Sequence, residues 1–146
     1  MPEPVIPENF DAELAEVVLA MGRSGEGLPG YIGITTTEVG PATLTAEVEV
    51  RSELLNQFGT LHGGVVSALV DHVLGSVLYP VIERGHWAAT TEFKVNLLAA
   101  VRDGRLRACA TIVAMTRRTA VVQVEVDNDG RPCALAQGTV MITTPR

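Results

Sequence analysis

Aromatic residues and cysteines are both scarce in this chain of 146 residues. Phe, Trp and Tyr make up 4% of the sequence, so its core has to be built from Val, Ala, Leu and Ile. The only two cysteines, Cys109 and Cys133, lack the spacing of metal ligands, and both fall in strand-like runs. We expect them to be small buried hydrophobic residues.

Positive charge is scarce as well. The chain has 11 Lys and Arg against 17 Asp and Glu, which gives a formal net charge of -6. Such a protein has no general attraction for nucleic acid or for an anionic membrane, so neither is expected as a partner. An anionic ligand would need locally clustered arginines.

Targeting signals and long hydrophobic runs are also missing. The N-terminal stretch MPEPVIPENFDAELAEV has no basic segment before an apolar one, so a secretory signal is not expected. Charges or glycines interrupt each apolar run before it reaches the length of a membrane span. With 47% hydrophobic residues, the sequence predicts a globular, cytoplasmic enzyme or binding protein.

The N-terminal part of the chain differs from the rest. Three prolines in the first eight residues predict an irregular tail, and residues 10–21 have apolar residues at helical spacing. The glycine-rich stretch GRSGEGLPG then predicts a linker to a first strand near YIGITTTEV. We therefore expect residues 1–29 to form a tail, helix and linker, and residues 30–146 to form the main domain.

Apolar residues alternate with polar ones from residue 42 onward, which predicts a half-buried strand over 42–50. Residues 64–79 are apolar almost all round, so the helix predicted there has to be buried. A four-strand antiparallel meander should follow, with strands at residues 87–98, 104–115, 119–128 and 133–143. An α+β fold in which a curved antiparallel sheet wraps one long helix satisfies these patterns.

Asp71 is unusual because it lies on this apolar helix. Three of the four residues one turn away from it, Ser67, Ala68 and Gly75, are small, so a ligand or another backbone could approach this face. The carboxylate could be a base whose pKa is raised by desolvation. It could equally be tied to a buried arginine or to backbone donors of a partner.

His62, Gly63 and Gly64 precede the same helix. The first turn of a helix has unpaired N–H groups and the positive end of the dipole, so the two glycines could form an oxyanion hole for a carbonyl that gains negative charge. The alternative, favoured on the glycines alone, is a tight turn that needs positive φ. His62 and Asn56 taken singly could be ordinary loop and turn residues.

The spacing of these groups predicts how they could act together. Asp71 lies eight residues beyond Gly63, which is about 12 Å along a helix. One carboxylate cannot easily serve a carbonyl held at the start of its own helix from that distance. If both groups act on one substrate, Asp71 comes from a second copy of the chain, and a two-fold dimer has two such shared sites.

The motif N-x-x-G-T-L-H-G-G-x-x-x-x-L-x-D, from Asn56 to Asp71, resembles the signature of hotdog-fold acyl-CoA thioesterases. It is most similar to the phenylacetic-acid-degradation (PaaI-like) and thioesterase superfamily member 2-like branch. The following ATTEFKVNLL is similar to that branch's next strand, and the resemblance spans about residues 30–143. It implies a dimeric or tetrameric hotdog protein that hydrolyses acyl-CoA to a free acid and CoA, without a metal or other cofactor.

The resemblance also implies roles for individual residues. Asp71 would be the nucleophile or the general base that activates water, and the Gly63 N–H would polarise the thioester carbonyl. Asn56 and His62 would organise the carbonyl and the water, and Thr90 would help to hold the water. Asp71 and Thr90 would face the other three residues across the subunit interface.

Substrate binding is assigned to four further residues. Gly64 and Ala68 lie along the helix, and the acyl pocket is expected to be lined by small and aliphatic groups, including Val65, Val73 and Leu78. Arg117 and Arg118 in MTRRTA are the best local basic site for the CoA phosphates, although a solvated turn is the alternative reading of such a pair. The chain departs from the family at NLLAAV, where relatives often have an Arg-Pro or Ser-Pro-like step.

Two other functions compete with hydrolysis. A non-catalytic acyl-CoA-binding hotdog protein would need no carboxylate aimed at the carbonyl, so Asn56, Gly63, Asp71 and Thr90 together disfavour it. A hotdog dehydratase or hydratase needs a different pairing of His with Asp or Glu, and neither His72 nor His86 fits.

Overall fold

The computed structural model describes Val5 and residues 7–145. The α-helices are α1 (Ala12–Met21), α2 (Gly27–Ile32) and α3 (Gly63–Ser76), with 3-10 turns at Ser52–Leu54 and Tyr79–Val81. The strands are β1 (Thr35–Val39), β2 (Thr43–Glu49), β3 (Trp87–Leu97), β4 (Arg105–Met115), β5 (Thr119–Asn128) and β6 (Arg131–Thr143). The irregular tail expected over the first eight residues lies mostly outside the described residues.

The strands form one antiparallel sheet in the order β1-β2-β4-β5-β6-β3. Strands β4, β5 and β6 are the expected meander, and Asp129 and Gly130 turn the chain between β5 and β6 with φ values of 49° and 84°. The prediction of a four-strand meander was wrong, because β3 pairs with β6 rather than with β4. The chain leaves α3 at the far side of the sheet, so β3 becomes the edge opposite β1.

Helix α3 lies in the curve of this sheet and contacts β2, β3, β4, β5 and β6. Its buried side chains come from one face and pack into a single core of aliphatic residues with the inward side chains of the strands. Val65, Val73 and Leu78, expected to line an acyl pocket, are part of that core. The opposite face is open, since Gly64 and Asp71 are exposed and Ser67 and Ala68 are only partly buried. The expected α+β architecture is therefore confirmed. Helix α3, however, is buried on one face only and not on all sides as expected.

The segment Gly63–Val81 has 19 residues and a mean hydropathy of 1.5, which meet the length and composition of a membrane span. The expectation that no run reaches this length was therefore wrong. In the structure 56% of the stretch is buried inside the protein, because it carries the central core helix.

Helix α1 begins after the N-cap Asp11, whose carboxylate accepts a 2.9 Å hydrogen bond from the Leu14 N–H. The stretch expected to be only a linker contains α2, which ends at Gly33 with φ of 91°. Tyr31 and Ile32 thus belong to a helix instead of the first strand, and the chain reaches β1 only at Thr35.

Candidate active site

His62 is the N-cap of α3. Its Nδ1 atom accepts a 2.8 Å hydrogen bond from the Gly64 N–H, so the neutral ring carries its hydrogen on Nε2. A Cβ on Gly64 would lie 2.9 Å from that Nδ1 atom, which explains the second glycine as space for the cap. Neither glycine has a positive φ, so the reading of the pair as a tight turn was wrong.

Gly63 is the first residue of α3 and has no partner for its N–H within the helix. Among the residues that the structure describes, no group accepts a hydrogen bond from it. Of the two glycine N–H groups expected in an oxyanion hole, one is thus occupied by His62 and the other remains available.

Asn56 organises the loop before α3. Its Oδ1 atom accepts hydrogen bonds from the Phe58 N–H at 2.9 Å and the Thr60 N–H at 3.2 Å. Its Nδ2 atom donates to Thr60 Oγ1 at 2.9 Å and retains a second hydrogen. Asn56 is therefore a turn residue through its oxygen, while its amide nitrogen can still donate to a ligand.

Asn56 and Gly63 line one cavity of about 300 Å³, which we call the glycine cleft. The connection after β3, from Leu97 to Val101, forms much of its opposite wall, and Leu97 Cδ1 would lie 3.1 Å from a Cβ on Gly63. The cleft thus combines an unpaired helix N–H, an amide donor and apolar walls.

Asp71 and Thr90 line a different cavity of about 360 Å³, the aspartate cleft. Asp71 is exposed, and no described residue pairs with it or donates a hydrogen bond to it. The alternative of an aspartate tied to a buried arginine of its own chain is therefore wrong. Thr90 lies near Gly75, where an added Cβ would be 3.8 Å from Thr90 Oγ1.

The aspartate cleft and the glycine cleft have no lining residue in common. Gly63 opens α3, and Asp71 lies about 12 Å further along its axis. One chain therefore brings together Asn56 and Gly63 and, separately, Asp71 and Thr90. It does not bring the two pairs together.

A third cavity, of about 580 Å³, lies beneath α1 and α2, and we call it the α1 cavity. Its walls include Leu14, Val17 and Val18 of α1 and Ile34 before β1. It adjoins the aspartate cleft, because both are lined by His72, Ser76 and Tyr79. Ser76 and Tyr79 were not predicted as site residues. For Ser76 the sequence carried a signal, since it lies one turn beyond His72 on the helix that carries Asp71.

His72 lies between α3 and β1, where its Nε2 atom is 3.1 Å from Thr36 Oγ1. Burial lowers the pKa of His72 below its usual range, and the neighbouring Asp71 carboxylate opposes this shift only in part. The imidazole is therefore neutral at physiological pH.

Arg117 and Arg118 lie in the turn between β4 and β5 and are exposed. They line a shallow groove of about 700 Å³ together with His86 and the end of β6. Neither arginine belongs to an ion pair within the described part of the chain, so both can meet an anionic ligand. Ala68 packs partly against the core, away from this groove.

Comparison with known proteins gives consistent matches. Residues 58–134 match the model of the family described as the thioesterase superfamily. The chain is 30% identical over 125 residues to the 1,4-dihydroxy-2-naphthoyl-CoA hydrolase of Escherichia coli, with 84% of this chain and 92% of that protein covered. It is 28% identical over 133 residues to the acyl-coenzyme A thioesterase 13 of Homo sapiens, with 89% and 93% covered.

Solved structures match as well. A mutant thioesterase from Pseudomonas aeruginosa has 25% sequence identity and a TM-score of 0.80 over 88% of this chain and 93% of that one. A thioesterase from Haemophilus influenzae, at 23% identity, is similar in fold, with a TM-score of 0.81 over 89% and 90%.

Proposed function

Because this chain belongs to the thioesterase superfamily and has its hotdog fold, it is a thioester hydrolase, and we propose that it cleaves acyl-CoA to a free acid and CoA. The observation that carries the proposal is the unpaired N–H of Gly63 at the start of α3, a residue that lines a cleft of about 300 Å³. A thioester suits such a site, because its carbonyl is weakly resonance-stabilised and thiolate leaves readily. One carboxylate and one oxyanion hole suffice for its hydrolysis.

In the proposed reaction the thioester carbonyl oxygen accepts a hydrogen bond from the Gly63 N–H. Asn56 Nδ2 and His62 Nε2, which retain free hydrogens, organise the carbonyl and the water beside it. Asp71 either takes the proton of the attacking water or attacks the carbonyl itself, and Thr90 holds the water. With water as the nucleophile, the tetrahedral intermediate expels the CoA thiolate and leaves the free acid. With Asp71 as the nucleophile, loss of the thiolate leaves an acyl-Asp71 anhydride, which the water then hydrolyses to the free acid and the regenerated carboxylate.

We place each active site between two copies of the chain. The distance between Asp71 and Gly63 along α3 supports this, and so does β3, an edge strand of 11 residues with exposed Trp87, Thr91 and Glu92. A long unprotected edge strand is suited to pairing with another chain. Two-fold pairing of β3 would set the open faces of two α3 helices beside each other and unite the clefts.

Arg117 and Arg118 are proposed to bind the phosphates of CoA. The chain carries a net charge of -6, so an anionic ligand needs a local basic site, and both arginines are exposed beside a groove. Lys94 on β3 and Arg102 in the loop after it are exposed too, but neither is next to another cation in the sequence. A cytoplasmic location is part of the proposal and is supported by the two free cysteines.

Mixing two inactive variants tests the shared site. Asp71→Asn removes the carboxylate, and Gly63→Pro removes the oxyanion N–H at a helix position where proline is tolerated. Each variant alone should be inactive, but co-expression should restore about a quarter of wild-type turnover, because half of the dimers are mixed and each has one intact site. If the site lay within one chain, mixing would restore nothing.

A panel of acyl-CoAs with thiol detection separates the proposal from its alternative. If the wild type hydrolyses an acyl-CoA and Asp71→Asn does not, the result supports the proposed acyl-CoA thioesterase. Binding of acyl-CoA without any hydrolysis by the wild type would instead identify a non-catalytic binding protein.

A further inference from the structure

The α1 cavity is preformed, because α1 is fixed at both ends. At its start, Arg84 donates to the Asp11 carboxylate at 2.6 Å and 3.0 Å, and the Asp11 N–H donates to Pro80 O at 2.7 Å. At its end, Thr36 N–H donates to Gly22 O at 3.0 Å, and Arg23 Nε donates to Thr36 O at 3.1 Å. These contacts hold α1 over the space instead of letting it collapse onto the core.

Most of the cavity is apolar. Leu14, Val17 and Val18 project from α1, and Ile34 lies opposite, while glycine backbones form much of the remaining wall. Its volume of about 580 Å³ falls within the range of roughly 300–1,000 Å³ that small-molecule sites occupy. This far end suits the hydrocarbon tail of an acyl group.

The neck between the α1 cavity and the aspartate cleft is polar but carries no charge. His72, half-buried and neutral, is hydrogen-bonded to Thr36, and the hydroxyl-bearing residues Ser76 and Tyr79 line the neck with it. Within the described residues, neither hydroxyl has a hydrogen-bond partner, unlike Ser67, whose Oγ donates to Gly63 O at 3.0 Å. A plain alkyl chain passing this neck would cover both hydroxyls without satisfying them, which costs free energy.

We infer that the acyl group carries an uncharged oxygen close to the thioester carbonyl and an aliphatic tail beyond it, as in a 3-hydroxyacyl-CoA. The 3-hydroxyl would exchange hydrogen bonds with Ser76 and Tyr79 in the neck, and the tail would fill the α1 cavity. A carboxylate substituent is disfavoured, because Asp71 borders the neck and Glu26 lines the cavity. The inference rests on the proposed hydrolysis at Asp71.

The test compares 3-hydroxyoctanoyl-CoA with octanoyl-CoA, which differ only in the hydroxyl. The wild type should prefer the hydroxylated substrate by about tenfold in kcat/KM, equivalent to about 1.4 kcal/mol. In a Ser76→Ala, Tyr79→Phe double variant the ratio should fall toward one. A matched double variant, Ser52→Ala with Tyr31→Phe, removes two exposed hydroxyls outside the cavity and should keep the wild-type ratio.

Equal or better hydrolysis of octanoyl-CoA by the wild type would overturn the inference, and so would a preference that survives the Ser76 and Tyr79 changes. Preference for an aryl substrate such as benzoyl-CoA over both would overturn it as well. In each of these cases Asp71-dependent hydrolysis would still support the proposed function. Loss of the proposed function itself would appear differently, as no Asp71-dependent hydrolysis of any acyl-CoA.

Discussion

The Nδ1 atom of His62 accepts a 2.8 Å hydrogen bond from the Gly64 N–H, and this bond gives the two glycines at the start of α3 different roles. The Gly64 N–H is used to cap the helix, while the Gly63 N–H has no acceptor among the described residues. The same bond fixes the tautomer of His62 and directs its remaining hydrogen, on Nε2, away from the cap.

Gly63→Pro and Gly63→Ala should have different effects on catalysis. Both add a Cβ near Leu97 Cδ1, whose side-chain end can move, but only proline removes the N–H. His62 already has φ of -65° and ψ of 131°, which suits a residue before proline. Steady-state assays should give a fall of about 10²–10³-fold in kcat for proline and a much smaller one for alanine. Similar losses in both would assign the effect to crowding.

His62→Ala should lower the free energy of unfolding by about 1 kcal/mol, because the α3 N-cap is lost. His62→Asn keeps an acceptor for the Gly64 N–H and should recover most of that stability in urea unfolding. Neither variant has a hydrogen-bond donor at the position of Nε2, so kcat should be lower than that of the wild type in both His62→Ala and His62→Asn. If His62→Asn had the kcat of the wild type, His62 would only cap the helix and would have no role in catalysis.

Thr90→Ala should lower kcat more than it raises KM, since Thr90 shares the aspartate cleft with Asp71 and is proposed to hold water instead of substrate. Thr91→Ala is a matched control on the same strand, because its hydroxyl donates to Thr139 O at 3.0 Å and it does not line the cleft. A pure rise in KM for Thr90→Ala would make it a substrate-binding residue.

Replacing Arg117 and Arg118 with alanine should raise KM for acyl-CoA by about tenfold and leave kcat nearly unchanged, because phosphate contacts lie far from the carbonyl. The corresponding acyl-pantetheine, which lacks the nucleotide, should show no difference between variant and wild type. If KM for both thioesters rises equally, the arginines do not bind the phosphates. Added salt should reduce the difference in KM for acyl-CoA between the variant and the wild type, because it screens the attraction between the arginines and the phosphates.

Stability should fall on acidification because of His72. Its pKa in the folded protein is lowered by burial from the ordinary 6.5, so the folded state binds fewer protons than the unfolded state below that pH. The free energy of unfolding should be flat above about pH 7 and decrease through the lowered folded pKa. His72→Gln, which cannot charge, should reduce the loss between about pH 7.5 and pH 5.5 in urea titrations. If the free energy of unfolding decreased equally in the wild type and in His72→Gln, the decrease would come from other titratable groups.

Local patterns in the sequence are sufficient to predict most of the elements. Alternation over residues 42–50 predicts β2, because the pleat itself places successive side chains on opposite faces. The turn at Asp129 and Gly130 follows from residues that tolerate positive φ. The short helix α2 was missed, because its glycines and proline have poor helix propensity and its stability depends on packing against α3.

The candidate site was predicted residue by residue from a motif, but its spatial division was not. Asn56, Gly63 and Asp71 lie within 16 residues of one another, yet they line two separate clefts. The spacing along α3 already indicated that the groups could not converge within one chain, since the helical rise is a local property. The cavity beneath α1 could not be found this way, because its walls come from segments far apart in the sequence.

The sequence by itself determined the strand and helix periods, the position of the glycines at the start of α3 and the resemblance to thioesterases, because each depends on residues a few positions apart. Only the tertiary structure decided that β3 lies at the edge beside β6, and that a polar neck joins Asp71 to an apolar cavity. Those features depend on which distant segments meet across the sheet, and that is set by burying the whole core at once.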